Sequence, residues 1–354
     1  MRSSPIRFVI LMIALFFSVN GHVFGQNSEV DSLQKLIGKA ESDTVKIDLL
    51  LSLSKTYFNS STSEAIKYAT EAKTLSEKTG YKKGLAQSLK NIGIGYYLQS
   101  NYVNTLDYWQ QSLVVFREIN DKAGLANILS NLGAVYFNQA DDVKALDYYL
   151  QSRKVAEEIN DSLRLATAYI NIGAVYANKN QTLDLAKENY LKALPISEKI
   201  DDKDAIGTST VNLGEIYFKK NDFDSALFYF EKSLKAYENS ENVPYSLTYI
   251  GKVYSRRGDY QKAIEYQQQA YDFAKKLDAQ FDMAQARIGL AETYVQLGRI
   301  NLALDAYLEA EKITRELNAN KELKDCYEGL ASSYAELSDY GNAYKYQKLF
   351  SAIK

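Results

Sequence analysis

Asn91, Asn131, Asn171 and Asn212 stand 40, 40 and 41 residues apart, each directly before an aliphatic residue and a glycine. A primary amide carries a donor and an acceptor together, so a row of them can satisfy the backbone of an extended peptide without reading its sequence. The same amides can equally bond to a neighbouring helix and keep a stack of helices in register. Both alternatives stay open at this level.

Other chemistry is scarce. The 354 residues include one histidine, His22, and one cysteine, Cys326. Arg2 and Arg7 precede an apolar run from Phe8 to Phe17, and Val23-Phe24-Gly25 offers small residues where a signal peptidase reads. This pattern predicts a secretory signal over 1–25, cleaved before Gln26, and a periplasmic or extracellular location. The run falls short of the ~20 residues of a comfortable membrane span, so the mature chain is expected to carry none. Cleavage leaves 40 basic and 44 acidic side chains, a net charge of −4, and no histidine.

Loss of histidine removes the commonest general base and the commonest metal ligand. The glycines are spread one per repeat instead of clustering into a phosphate-binding loop, and no metal-ligand spacing occurs. The expectation is a protein that is not an enzyme and uses no cofactor or metal. A mildly acidic, evenly mixed charge pattern gives no basic stripe for nucleic acid. With a single cysteine, stability must come from packing, and Cys326 on an apolar helix face reads as a core residue.

The elements that would position the asparagines follow from periodicity. A pattern of aliphatic, small residue, two variable positions and tyrosine ends at Tyr57, Tyr96, Tyr136, Tyr176, Tyr217, Tyr254, Tyr294 and Tyr334, at intervals of 37 to 41 residues. A fixed period in this range predicts units that bury their apolar faces only by stacking on one another. Within a unit the apolar residues recur at three and four positions in two runs separated by a polar break, which predicts two helices per unit. The breaks INDKAG, INDSLR, IDDKDA and LNANKE offer Asp or Asn as helix caps, with the preceding Ile or Leu as a hydrophobic staple. Gly93, Gly133, Gly173, Gly214 and Gly251 lie inside first helices, where glycine costs about 1 kcal/mol relative to alanine. The second helices answer with Ala145, Ala226 and Ala263 and with the aromatics Trp109, Tyr149, Tyr190, Phe230 and Tyr307, so a close approach of the two helices is expected. Pro244 is expected to open a helix and Pro195 to kink one.

The order aliphatic-Gly-x-x-Tyr, then Ala nine positions on, then an aromatic four after that, resembles the tetratricopeptide repeat in a longer-helix form of about forty residues. It covers residues 43–354 as eight tandem repeats, preceded by a helical segment over 26–42. Leu89, Leu129 and Tyr169 stand where the motif usually has Trp, and Ser54, Ala291 and Ala331 where it has Gly. The resemblance implies an all-α, right-handed superhelical solenoid of about eight helix-turn-helix units, whose first helices line a concave groove for a peptide or protein segment. Carried over position by position, that groove takes Asn91, Asn131, Asn171 and Asn212, with Gln87, Asn127, Asn138 and Asn178 making its first half neutral and polar. Glu215, Lys219, Lys252 and Arg256 make its second half charged, and Tyr249 replaces the asparagine there. Lys252 and Arg256, one turn apart, can clamp a carboxylate or be neutralised by Glu215.

Two rivals accompany the scaffold reading. Exported repeats of this kind resemble the extracytoplasmic sensor regions of bacterial membrane histidine kinases and nucleotide cyclases. The final helix, with Tyr346, Leu349, Phe350 and Ile353 and no polar capping helix after it, suggests self-association.

Overall fold

The computed structural model describes residues 23–238 and 240–353. The predicted signal run, Arg2, Arg7 and His22 lie outside them. The described residues form seventeen α-helices and one 3-10 turn, with no strand among them. An opening helix α1 (Val23–Gly38) is followed by eight helical hairpins. The chain divides into two compact units, one within residues 9–196 and the other comprising 197–354.

In the first unit α1 packs on α2 (Asp43–Thr56), which pairs with α3 (Thr62–Thr79). Then α4 (Lys82–Leu98) pairs with α5 (Tyr102–Glu118), α6 (Lys122–Asn138) with α7 (Asp142–Glu158), and α8 (Ser162–Ala177) precedes α9 (Leu183–Lys199), which contains Pro195. In the second unit the pairs are α10 (Lys203–Lys219) with α11 (Phe223–Ala236), and α12 (Val243–Arg256) with α13 (Tyr260–Lys276). They continue as α14 (Gln280–Gln296) with α15 (Ile300–Glu316), and α16 (Asn320–Glu336) with α17 (Tyr340–Ala352). Within each unit the first helices of successive hairpins touch one another, whereas among the described residues the second helices do not, so the first helices form the inner face.

Turn chemistry explains the regular spacing. Asp121, Asp161 and Asp202 accept from the backbone N–H three residues on, at 2.9, 3.0 and 3.0 Å, as N-caps of α6, α8 and α10. The residues before them, Asn120, Asn160 and Asp201, are not caps: they hold φ of 52°, 52° and 54°, the left-handed conformation that ends the preceding helix. In LNANKE the cap position is Ala319, which caps with no side chain, while Asn318 takes the left-handed turn. Pro244 lies in the first turn of α12 as its spacing predicts, and both α11 and α12 are shortened to 14 residues where most of the helices have 17. The connection from α11 to α12 is longer by the three residues that α11 lacks, so the three missing from the start of α12 account for the 37-residue interval before Tyr254.

Gly93, Gly133, Gly173 and Gly214 are each the seat of an aromatic ring. A Cβ on Gly133 would fall 2.6 Å from the ring of Tyr149, one on Gly173 2.7 Å from Tyr190, and one on Gly214 2.6 Å from Phe230; Gly93 meets Trp109 in the same way. The ring therefore lies on the glycine itself, with no room for a methyl group between the helices. Gly251 departs from this, since the buried amide of Gln267 takes the aromatic's place and accepts a hydrogen bond from Thr293 at 3.1 Å. Cys326 is buried, and burial pushes its thiol up to about 12. Leu349, Phe350 and Ile353 are partly buried on the cluster of Leu323, Cys326 and Tyr327.

Candidate functional site

Of the two alternatives open for the asparagine row, the structure has the amides against helices and away from the groove. Asn91, Asn131, Asn171 and Asn212 are 1, 3, 1 and 0% exposed, so they do not line a solvated groove. The Asn91 amide donates to the Leu51 carbonyl at 3.3 Å, and the Asn171 amide to the Ser130 hydroxyl at 3.2 Å. Each of these bonds ties a first helix to the first helix of the preceding hairpin. Asn212 instead donates to the Thr208 carbonyl of its own helix at 2.8 Å. The physical reason is register: the position just before the aliphatic-Gly pair faces the seam between first helices, and its carbonyl oxygen is closed off with it. The Oδ1 atoms of Asn91, Asn171 and Asn212 accept no hydrogen bond from the described residues.

The remaining first-unit candidates are more open. Gln87 and Asn127 are half-buried on α4 and α6, Asn138 is exposed at the end of α6, and Asn178 caps α8. Asn138 donates to the Tyr97 hydroxyl at 2.5 Å and Asn178 to Asp142 at 3.1 Å. Asn127 accepts from Arg164 Nε at 2.9 Å, and Arg164 also bonds Asp161. This face is not neutral. Lys90, half-buried on α4, is pushed down to about 8 by burial, and the charges of Lys55 and Arg164 push in the same direction while Asp121 opposes them. Sequence reasoning missed Lys55, Lys90 and Arg164 because they occupy different registers on α2, α4 and α8. Only the packing of first helix on first helix brings them to one field.

In the second unit, Glu215 is buried and accepts from the Tyr245 hydroxyl at 2.6 Å. Burial raises its carboxyl to about 7, against the hydrogen bond from Tyr245 and the nearby charges of Lys219, Lys321 and Lys252. Lys219 is exposed and shifted down, chiefly by desolvation. Tyr249 is half-buried in an aromatic group, its ring 4.9 Å from that of Tyr245 and 5.1 Å from that of Phe230. The Lys252–Arg256 clamp is not formed as drawn from spacing. Lys252 lies over the Tyr249 ring at 5.1 Å, whereas Arg256 lies over Phe218 at 5.9 Å and bonds Asn221 at 3.5 Å. Glu215 is satisfied by a phenol on the next hairpin and not by that pair. Among the described residues no group of three or more His, Cys, Asp or Glu is arranged to hold a metal ion, and no helix is long and apolar enough to cross a membrane.

The sequence pattern of the family described as Tetratricopeptide repeat matches residues 84–158 and 164–239, and that of Anaphase-promoting complex, cyclosome, subunit 3 matches 219–310. With eight helical hairpins at this spacing, the chain belongs to the tetratricopeptide-repeat proteins. No curated protein matches it. Among solved structures it is similar to the apo form of the quorum sensor NprR from B. thuringiensis, with a TM-score of 0.67 and 16% identity over 93% of this chain and 99% of that one. A Rap protein complexed with competence and sporulation factor gives 0.61 and 16% identity, covering 93% and 97%. The Rap conjugation gene regulator of the plasmid pLS20, in complex with the Phr* peptide, gives 0.58 and 14% identity, covering 93% and 96%. At these identities the likeness is one of fold: an all-α solenoid of repeated hairpins.

Proposed function

We propose that the chain is a scaffold that binds an extended segment of a peptide or protein on the inner face of its first helices, and that it does so outside the cytoplasm. The observation that carries the reading is the first unit's inner face, where α2, α4, α6 and α8 lie side by side and present half-buried polar and cationic side chains, Gln87, Lys90, Asn127 and Arg164. Solvated donors on adjacent, rigidly packed helices suit an extended ligand that each helix contacts once. Of the structurally similar proteins, one is solved in complex with the Phr* peptide and one with competence and sporulation factor, and the first of these supports a peptide as the ligand. The asparagine row supports the face from beneath, by fixing the spacing of α2 and α4 and of α6 and α8. Export rests on the Arg-flanked apolar run Phe8–Phe17.

Selection of a displayed random dodecapeptide library on the full chain tests the binding reading. Retained peptides should lose affinity on Gln87→Ala and Asn127→Ala, and be unaffected by Val143→Ser on the outward face of α7, where Val143 is 81% exposed. Retention of no peptide, or equal loss from both faces, overturns it. An intact mass from the native envelope beginning at Gln26 tests export, and a cytoplasmic chain retaining Met1 defeats it.

A further inference from the structure

Lys55, Lys90, Asn127 and Arg164 form a diagonal across the inner face of the first unit. Relative to the equivalent positions Ser54, Gly93, Gly133 and Gly173, they lie one residue after, then three, six and nine residues before. Each step to the next first helix thus moves back by three or four residues, one turn of helix. The stripe starts in the last turn of α2 and ends in the first turn of α8. Arg164 reaches back to Asn127 at 2.9 Å, and the charges of both Lys55 and Arg164 act on Lys90 between them.

Some of this unit's cations have acid partners: Lys122 pairs with Glu158 at 3.1 Å, Lys67 with Glu64 at 3.0 Å, Lys144 with Asp141 at 3.3 Å, and Lys82 with Glu118. Others, such as the exposed Lys78, Arg117 and Lys154 on second helices, form no ion pair with a described residue. On the inner face neither Lys55 nor Lys90 forms an ion pair with a described residue. Arg164 is held by Asp161, a cap residue, and the one acid acting on Lys90 is Asp121, whose Oδ1 is already engaged by the Gly124 N–H at 2.9 Å. Like charges gathered in a partly desolvated concavity repel one another, and an arriving anion relieves that repulsion.

Deepening the peptide-binding reading on which it rests, we infer that the stripe of Lys55, Lys90, Asn127 and Arg164 selects an acidic segment, bound extended, with carboxylate side chains three residues apart. Packed helices lie about 10 Å apart, and three residues of a polyproline-II chain span about 9 Å while returning the side chain to the same face. One carboxylate then meets Lys55 and the next meets Lys90, with Arg164 closing on the second from across Asn127. The Asn127 amide nitrogen is left for the peptide backbone, since its oxygen is taken by Arg164.

The test uses the full chain and two fluorescent peptides, acetylated and amidated so that neither terminus is charged: Glu-Pro-Pro repeated four times, and Lys-Pro-Pro repeated four times. The glutamate peptide should bind at least tenfold tighter than the lysine peptide. Its affinity should fall about tenfold on Lys90→Gln and several-fold on Lys55→Gln, and stay unchanged on Lys154→Gln on α7. Lys55 is exposed, so its variant keeps the test valid if Lys90→Gln unfolds. Equal binding of the two peptides, or a glutamate affinity indifferent to both substitutions, overturns the inference. A dodecapeptide library that yields only neutral or basic binders on this face also overturns it while leaving the scaffold reading intact. A library that yields no binder at all removes both.

Discussion

The side-chain amide of Asn171 on α8 donates to the hydroxyl of Ser130 on α6 at 3.2 Å, across 41 positions of sequence, with both groups buried. Asn91 makes the equivalent reach to the Leu51 carbonyl on α2. At these two repeats a side chain that costs desolvation fixes how far one first helix sits from the next.

Asn171→Ala should therefore destabilise the fold. Removing a buried hydrogen bond that leaves the Ser130 hydroxyl unpaired costs about 1–3 kcal/mol. Because the Asn171 oxygen accepts nothing from the described residues, part of that cost is returned when the amide is deleted, which puts the outcome at the lower end. A double-mutant cycle with Ser130→Ala, read by urea unfolding, should give a coupling of about 0.5–1.5 kcal/mol. Zero coupling would mean that the pair is not a hydrogen bond in solution.

Gly133→Ala gives a sign that propensity alone gets wrong. In a free helix the change is worth about 1 kcal/mol in favour of alanine. Here the new methyl would stand 2.6 Å from the Tyr149 ring, which is itself fully buried and cannot swing away. Overpacking of this kind costs about 1–3 kcal/mol, so thermal unfolding should move down. The same substitution combined with Tyr149→Leu should be less harmful than the sum of the two single changes.

Helix pairs, their eight-fold repetition and the close seat at the glycines follow from periods of three to four and of about forty, which local residue types impose. What a neighbouring helix does to a side chain is not written locally. The seam position of Asn91 and Asn171 depends on how far α4 and α8 are rotated against α2 and α6. A position facing the groove and one facing the seam differ by a single residue on the helix. For the charge of Arg164 to act on Lys90, 74 residues away, three helices must pack in order. The capping aspartates were readable, whereas the left-handed Asn120 and Asn160 were not told apart from caps, because asparagine suits both positions.

Glu215 makes stability depend on pH in the second unit. Its folded value of about 7 lies above the ordinary 4.5, so between those values the folded chain holds the proton more tightly than the unfolded one. The group's contribution is fully present below pH ~4.5 and is lost as pH rises through ~7. Glu215→Gln keeps an acceptor for the Tyr245 hydroxyl and removes the buried charge. Its melting temperature should match the parent at pH 5 and exceed it at pH 8, by an amount worth up to about 3 kcal/mol. A parallel pH profile for the two proteins would show that Glu215 is not titrating in this window.

Lys90 reverses the sign, and with it separates a residue kept for the fold from one kept for a ligand. Its folded value of about 8 lies below the ordinary 10.5, so between them the unfolded chain binds more protons and stability rises with pH. At pH 7 the ammonium is a burden to the folded state, brought by burial and by the charges of Lys55 and Arg164. Lys90→Met retains the apolar length of the side chain and discards the charge. It should stabilise the protein at pH 7 by about 1–2 kcal/mol, after discounting for the solvent that still reaches the side chain, and the gain should fade by pH ~10.5. The same variant should bind the glutamate peptide about tenfold more weakly at pH 7. In the parent that affinity should itself weaken as pH rises past ~8, because only the ammonium meets a carboxylate. Thermal unfolding at several pH values and peptide titration on this one variant decide the matter. A loss of stability at pH 7 would mean that Lys90 is held by contacts within the fold, and its charge would then have no claim on a ligand.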